Sequence, residues 1–152
     1  MSRDQNTAEF RDRVDADNAA LHRLWHRSVS ATHSFLRPDD FQSISDTVRD
    51  QYVPNAPLSV ALIDSEIVGF MGMSGGHIDS LFIDPDYIGH GLGRQFLSVA
   101  EQSGAPLTVD VNAQNEAALA FYLSQGFVET RRTETDSEGR PYPLIFMEKA
   151  MF

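Results

Sequence analysis

The feature that most constrains this chain is the stretch "YIGHGLGR", Tyr87 to Arg94, where Gly89, Gly91 and Gly93 alternate with other residues and an arginine follows. It stands between the strand-like run "HIDSLFID", closed by Pro85, and a segment in which Leu92, Phe96, Leu97 and Ala100 recur at helical spacing. A glycine-rich turn from a strand into a helix leaves several backbone N–H groups unpaired at the positive end of the helix dipole. Glycines keep side chains off those groups, so the turn suits an anion such as a pyrophosphate, and Arg94 can add a charged contact. Two familiar phosphate motifs fail. A Walker loop needs Lys and Ser/Thr after the glycines, and a dinucleotide fingerprint needs G-x-G-x-x-G where this chain has G-x-G-x-G.

The rest of the chain supplies the fold around that turn. After a short strand near residues 10–14, "DADNAALHRLWHRSVSATH" has Leu21, Leu24, Trp25 and Ser28 at helical spacing. "RPDDFQSISDTVRDQY" gives a second helix with Phe41, Ile44 and Val48 on one face, ending before "VPNAP". "LSVALID" and "IVGFMGMSG", separated by "SE", read as a hairpin, and "HIDSLFID" as the next strand. Beyond the glycine turn and its helix come the strand "PLTVDVN" and the helix "NEAALAFYLSQG", closed by Gly126. The strands "FVETRRTET" and "PLIFMEK" follow, around the loop "DSEGRPYP". The order β, α, α, β, β, β, α, β, α, β, β predicts an α/β (α+β) fold with a mixed sheet of about seven strands and about four helices. No repeat or linker divides it, so one domain over 1–152 is expected. Trp25, Phe35 and Phe41 are expected in the core, with an acceptor-pocket lining as the alternative.

Composition narrows the function. Lys plus Arg is 12 against 22 Asp plus Glu, a net charge of -10, which repels a phosphate backbone and disfavours nucleic acid as a partner. The same charge would draw in a cationic substrate, or simply keep the protein soluble. With no cysteine there is no disulfide, thiolate metal site or cysteine nucleophile, and no metal is expected. The opening "MSRDQNTAEF" lacks the apolar core of a signal peptide and no apolar run approaches a membrane span, so a cytoplasmic protein with no membrane partner is expected.

"LFIDPDYIGHGLGR" resembles motif A of the GNAT (GCN5-related) N-acetyltransferases, in which a strand and an aromatic precede a Q/R-x-x-G-x-G/A loop. The resemblance implies the GNAT fold, a mostly antiparallel sheet with splayed central strands, and a loop whose backbone holds the pyrophosphate of acetyl-CoA. It assigns Gly89, His90, Gly91, Leu92, Gly93 and Arg94 to the cofactor, and backbone N–H groups of Leu81, Phe82 and Ile83 to the thioester. Ile88 departs from the pattern, standing where the family has Gln or Arg, which predicts weaker cofactor binding. "VNAQNEAALAFYLSQGF" resembles the family's N-x-x-A-x-x-x-Y-x-x-x-G-F region. That implies that Asn115 contacts the pantetheine arm and Tyr122, about two helical turns on, protonates the departing thiolate. Phe121, next to it, is expected to supply the core-facing aromatic. "SVSATHSFL", "PLTVDVNAQN" and "GRPYPL" together resemble a bacterial peptidyl-lysine N-acetyltransferase subgroup.

Acetylation of an amine needs a neutral nucleophile, and an alkylammonium titrates near ~10.4, so some group must accept a proton. His77 and Asp79, two apart and hence on one strand face, are the candidates, against a merely solvated strand start. His33 and Phe35, in "ATHSF", are candidates for binding the acceptor, against a capping or packing role for the histidine. The expected activity is direct transfer from acetyl-CoA to a primary amine, of a small molecule or a peptide or protein lysine, in a ternary complex without a covalent enzyme intermediate. A CoA-binding regulatory module with little or no activity is the alternative, and either a monomer or a homodimer is expected.

Overall fold

Asp64 and Ser65 turn the first hairpin with φ of 51° and 69°, the doubly left-handed conformation that matches the twist of the strands it joins. The turn therefore falls one residue earlier than the "SE" of the sequence reading, and the strand after it begins at Glu66. The computed structural model describes residues 7–149. Its strands are β1 (Glu9–Asp12), β2 (Leu58–Ile63), β3 (Glu66–Ser74), β4 (His77–Ile83), β5 (Leu107–Asn112), β6 (Val128–Thr133) and β7 (Leu144–Lys149). Its principal helices are α1 (Asn18–Thr32), α2 (Pro38–Thr47), α3 (Leu92–Glu101) and α4 (Glu116–Ser124). They follow one another in the expected order.

The seven strands form one mixed sheet in the order β1-β2-β3-β4-β5-β7-β6. β1 with β2, β2 with β3, β5 with β7 and β6 with β7 are antiparallel. β4 and β5 are parallel and pair over two residues, His77↔Thr108 and Ile78↔Val109, so the other five residues of β4 have no partner on β5. Two compact units can be distinguished, Met1–Gly72 with Ser80–Phe96, and Met73–Asp79 with Leu97–Phe152.

In the first unit the helical stripe of α1 buries Leu21, Leu24, Trp25 and Val29 against Val48, Val53, Leu58, Val60 and Phe70. Phe41 of α2 lies 5.7 Å from the Trp25 ring. The second helix runs further than its sequence suggests. After Thr47 it widens into a π-turn, Val48–Tyr52, in which the Val53 N–H reaches Val48 O, and one more helical turn, Val53–Asn55, includes Pro54. The widened turn accommodates a proline that lacks an N–H for the ordinary ladder.

The second unit is built on strict alternation. Leu107, Val109 and Val111 of β5 and Ile145 and Met147 of β7 are buried, while Thr108, Asp110, Phe146 and Glu148 point to the opposite face. Gly126, at φ +97°, ends α4 and lets the Phe127 N–H return to Tyr122 O at 3.0 Å. Gly76 precedes β4 where a Cβ would run into the Pro106 carbonyl, so only glycine allows that close approach.

Candidate active site

The glycine turn is held from below by Asp84, a buried carboxylate at the end of β4. Its Oδ1 accepts the Asp86 N–H at 2.9 Å and its carbonyl accepts the Tyr87 N–H at 2.8 Å. Arg27 of α1 donates to Asp84 Oδ2 at 2.5 Å and to Asp86 at 3.2 Å, tying the turn to a helix 57 residues away in sequence. Gly89 and Gly91 have φ of +90° and +81°, a region costly to other residues, whereas Gly93 is the second residue of α3 and takes no left-handed φ. The first helical bond is Gln95 N–H to Gly91 O at 3.1 Å. From Gly89 through Arg94, no backbone N–H donates to a protein acceptor among the described residues. Six successive donors at a helix start form a cradle for an oxyanion.

Side chains around the cradle differ in what they offer. Leu92 is buried in the core, so it can contribute its amide alone. His90 lies edge-on to Tyr87 at 5.6 Å. Arg94 is exposed and its guanidinium makes no ion pair among the described residues. Ile88 is 60% exposed, an apolar side chain at the position of a polar one in the pattern. Upstream, Leu81, Phe82 and Ile83 are half-buried on β4 beyond its pairing with β5. Amides there that do not point to β3 are free to donate.

His33 and Phe35 come together, their rings 5.1 Å apart, just past the end of α1. Thr32 donates its hydroxyl proton to Ser28 O at 2.8 Å, so at 2.6 Å its Oγ1 accepts from His33 Nδ1. This tautomer leaves Nε2 as the acceptor nitrogen. Burial pushes the His33 pKa down and favours the neutral ring.

In the second unit, His77 Nδ1 lies 2.7 Å from Thr108 Oγ1, and its Nε2 faces Asp110 at 3.6 Å and Asp79 at 4.0 Å. Asp79 accepts a hydrogen bond from Ser74 Oγ at 2.6 Å. His77, Thr108 and Asp110 open onto a cleft of about 320 Å³ that Thr130, Arg131, Phe146 and Glu148 also line. Thr108, Asp110, Phe146, Glu148 and Arg131 were not singled out by sequence. The alternation in "LTVDVN" and "LIFMEK" puts the first four on outward faces, but only the pairing of β5 with β7 brings them together.

Asn115 is the N-cap of α4, its side-chain oxygen accepting the Ala118 N–H at 3.2 Å, and its side-chain NH2 has no acceptor among the described residues. Tyr122 is 6% exposed, packed 5.2 Å from both Phe121 and Phe127. The tyrosine, not the half-buried Phe121, is thus the core aromatic of this helix, a correction to the sequence expectation. "AALAFYL" is apolar on every side, so its pattern could not say which neighbour turns inward. No described group hydrogen-bonds the Tyr122 hydroxyl, and burial pushes its pKa well up, so it keeps its proton at neutral pH. Among the described residues no group of three or more His, Asp or Glu side chains is arranged to hold a metal, and no helix is long and apolar enough to cross a membrane.

Residues 28–150 match the family described as the acetyltransferase (GNAT) domain. The chain is 47% identical over 123 residues to peptidyl-lysine N-acetyltransferase YjaB of Escherichia coli (strain K12), covering 80% of this chain and 83% of that protein. The solution structure of apo YjaB from Escherichia coli superposes with a TM-score of 0.88 at 42% identity, over 93% of this chain and 97% of that one. The PaiA N-acetyltransferase of Thermoplasma acidophilum, solved in complex with coenzyme A, shares the fold, with a TM-score of 0.76 at 18% identity over 95% of this chain and 99% of the other. By its matched domain, its relatives and its fold, this chain belongs to the GNAT acetyltransferase family.

Proposed function

We propose that the protein transfers an acetyl group from acetyl-CoA directly to a primary amine, with a lysine side chain of a peptide or protein as the acceptor class. The chain 1–152 serves as one acetyltransferase domain, since the family match runs through both units. The observation that carries the reading is the run of six unpaired amides from Gly89 to Arg94 over two left-handed glycines. They suit the pyrophosphate of acetyl-CoA, and the exposed Arg94 suits a further phosphate oxygen. The acceptor class follows the name of the relative at 47% identity.

When bound, acetyl-CoA supplies a thioester already activated for attack. The chain's residues then have distinct tasks. Free amides of Leu81 to Ile83 donate to the oxygen on which charge develops. Asn115, held at the start of α4, offers its amide to the pantetheine arm. Tyr122 is a proton donor matched to its task. Its hydroxyl is protonated, and no described protein acceptor has first to be broken away from it. His33, with Nε2 as its acceptor nitrogen, is disposed to orient the acceptor amine or relay its proton. His77 and Asp79 are the other candidates for that step, and Phe35 would flank the acceptor.

The test is CoA release from acetyl-CoA by the purified protein with a panel of lysine peptides and small amines. Acceptor-dependent release that falls about a hundredfold in Tyr122→Phe is expected. Acetyl-CoA binding with no acceptor-dependent release across the panel would instead identify a CoA-binding module without transfer activity, a reading for which the exposed Ile88 gives the motive.

A further inference from the structure

We propose that Arg27 is a positioning residue for the cofactor, acting through Asp84 and Asp86 on the glycine turn that follows them. This role rests on the turn holding the pyrophosphate of acetyl-CoA, as above. Arg27, both aspartates and the cradle from Gly89 to Arg94 all belong to the first unit.

The cradle has little of its own to keep it in shape. Its six amides donate to no described protein acceptor, Gly89 and Gly91 take left-handed φ, and around Gly89 nothing lies within 4 Å of where a Cβ would stand. Its shape is therefore set from its two ends. On the helical side Leu92 and Phe96 are buried, with Phe96 edge-on to Phe10 at 4.9 Å. On the strand side Asp84 employs every polar group it has. Its N–H donates to Val68 O at 2.8 Å, its carbonyl and Oδ1 accept the Tyr87 and Asp86 N–H groups, and Oδ2 accepts from Arg27.

No other cation pairs with Asp84 or Asp86 among the described residues. Arg27 stands on α1 among Leu24, Trp25, Ser28 and Val29, all buried, so the core fixes the backbone that carries it. Its two terminal nitrogens go to different carboxylates, which a planar fork does well and a single ammonium does poorly. The Asp84 side chain is 10% exposed. Without Arg27 its Oδ2 would be a charge largely out of water with no counter-charge. The carboxylate would then turn toward solvent, give up the Asp86 N–H and unfasten the turn.

Charge acts in the same direction. A pyrophosphate is an anion, and two carboxylates precede its cradle. The three residues from Asp86 to Gly89 span at most about 11 Å, comparable with a Debye length of about 8 Å at physiological salt, so an uncovered Asp86 repels the ligand. Arg27 offsets one of the two negative charges while it fastens the turn.

Binding of acetyl-CoA and of inorganic pyrophosphate, measured by calorimetry at low and high salt with NMR spectra to show that each variant is folded, tests this. Arg27→Ala is expected to weaken both ligands about tenfold. Arg23→Ala removes an exposed arginine one helical turn earlier that has no described ion pair, and should stay within about twofold of wild type. Adding Asp86→Asn to Arg27→Ala should restore the salt-dependent part of the loss, about two- to threefold, a repair that a mere packing defect in α1 would not show. Arg27→Gln keeps a hydrogen bond to Asp84 without the charge, so it should fall between alanine and wild type, and it takes the place of Arg27→Ala in every comparison if the alanine variant does not fold. Affinity within about twofold of wild type, an equal loss in Arg23→Ala, or no repair by Asp86→Asn would overturn the role of Arg27. The cofactor assignment would still stand if the wild-type amides from Gly89 to Arg94 shift on binding. Wild-type binding of acetyl-CoA that leaves those amides unmoved would overturn the assignment and the role of Arg27 together.

Discussion

β5 and β7 present two faces of opposite character. Leu107, Val109, Val111, Ile145 and Met147 are buried on one, and Thr108, Asp110, Phe146 and Glu148 stand on the other around an open cleft. A one-residue step along either strand therefore moves from positions that hold the fold to positions that line the cleft. Tyr122 cuts across this division. It is buried like the first set, yet its hydroxyl has no described partner, so it adds little to stability through its one polar atom.

The largest expected effect is on the buried side. Phe127→Ala, at a fully buried ring that packs on Tyr122, should cost about 3–5 kcal/mol in urea unfolding. Asp110→Asn, on the open face, should stay within about 0.5 kcal/mol of wild type. A loss at Asp110 as large as that at Phe127 would break the comparison. Next comes Tyr122→Phe, for which kcat should fall about a hundredfold, equivalent to about 2.7 kcal/mol of barrier. Its unfolding midpoint should be little changed, because the ring stays packed and no hydrogen bond of the described residues is lost. A stability loss parallel to the activity loss would make Tyr122 a packing residue only.

Smaller still is Gly91→Ala. The nearest side-chain atom to the new Cβ is 3.9 Å away, so crowding is not the issue, but φ of +81° costs about 1–2 kcal/mol. KM for acetyl-CoA should rise about tenfold with kcat little changed, and an unchanged KM would detach the loop from the cofactor. The smallest effect is a pH dependence. His33 has its folded pKa lowered by burial, so the unfolded chain binds its proton first as pH falls. Stability is then fully present above the unfolded value of about 6.5 and declines as pH drops toward the folded pKa. His33→Asn should flatten that decline in thermal unfolding followed from pH 7 to 5.

The order of strands and helices was legible because elements such as α1 and β5 carry a clear helical or alternating pattern and α4, apolar all round, is bounded by Asn115 and Gly126; the glycine turn was legible because only glycine tolerates its dihedrals at Gly89 and Gly91. The first hairpin was displaced by a residue because Asp64 and Ser65, not glycines, take positive φ. The helix through Pro54 needed a π-turn that no residue pattern announces. The cleft was hidden for a topological reason. β7 enters the sheet between β5 and β6, so Asp110 meets Phe146 and Arg131 only after the chain has returned, and Arg131 only through the bulge at Thr130. Arg27 and Asp84, far apart in sequence, show the same limit.

The most direct measurement is an amide NMR titration of the protein with acetyl-CoA. The largest shifts are predicted at Gly89 through Arg94, reproduced in part by inorganic pyrophosphate alone. Saturable binding that leaves those six amides unmoved while others shift would contradict the assignment of the glycine turn to the cofactor.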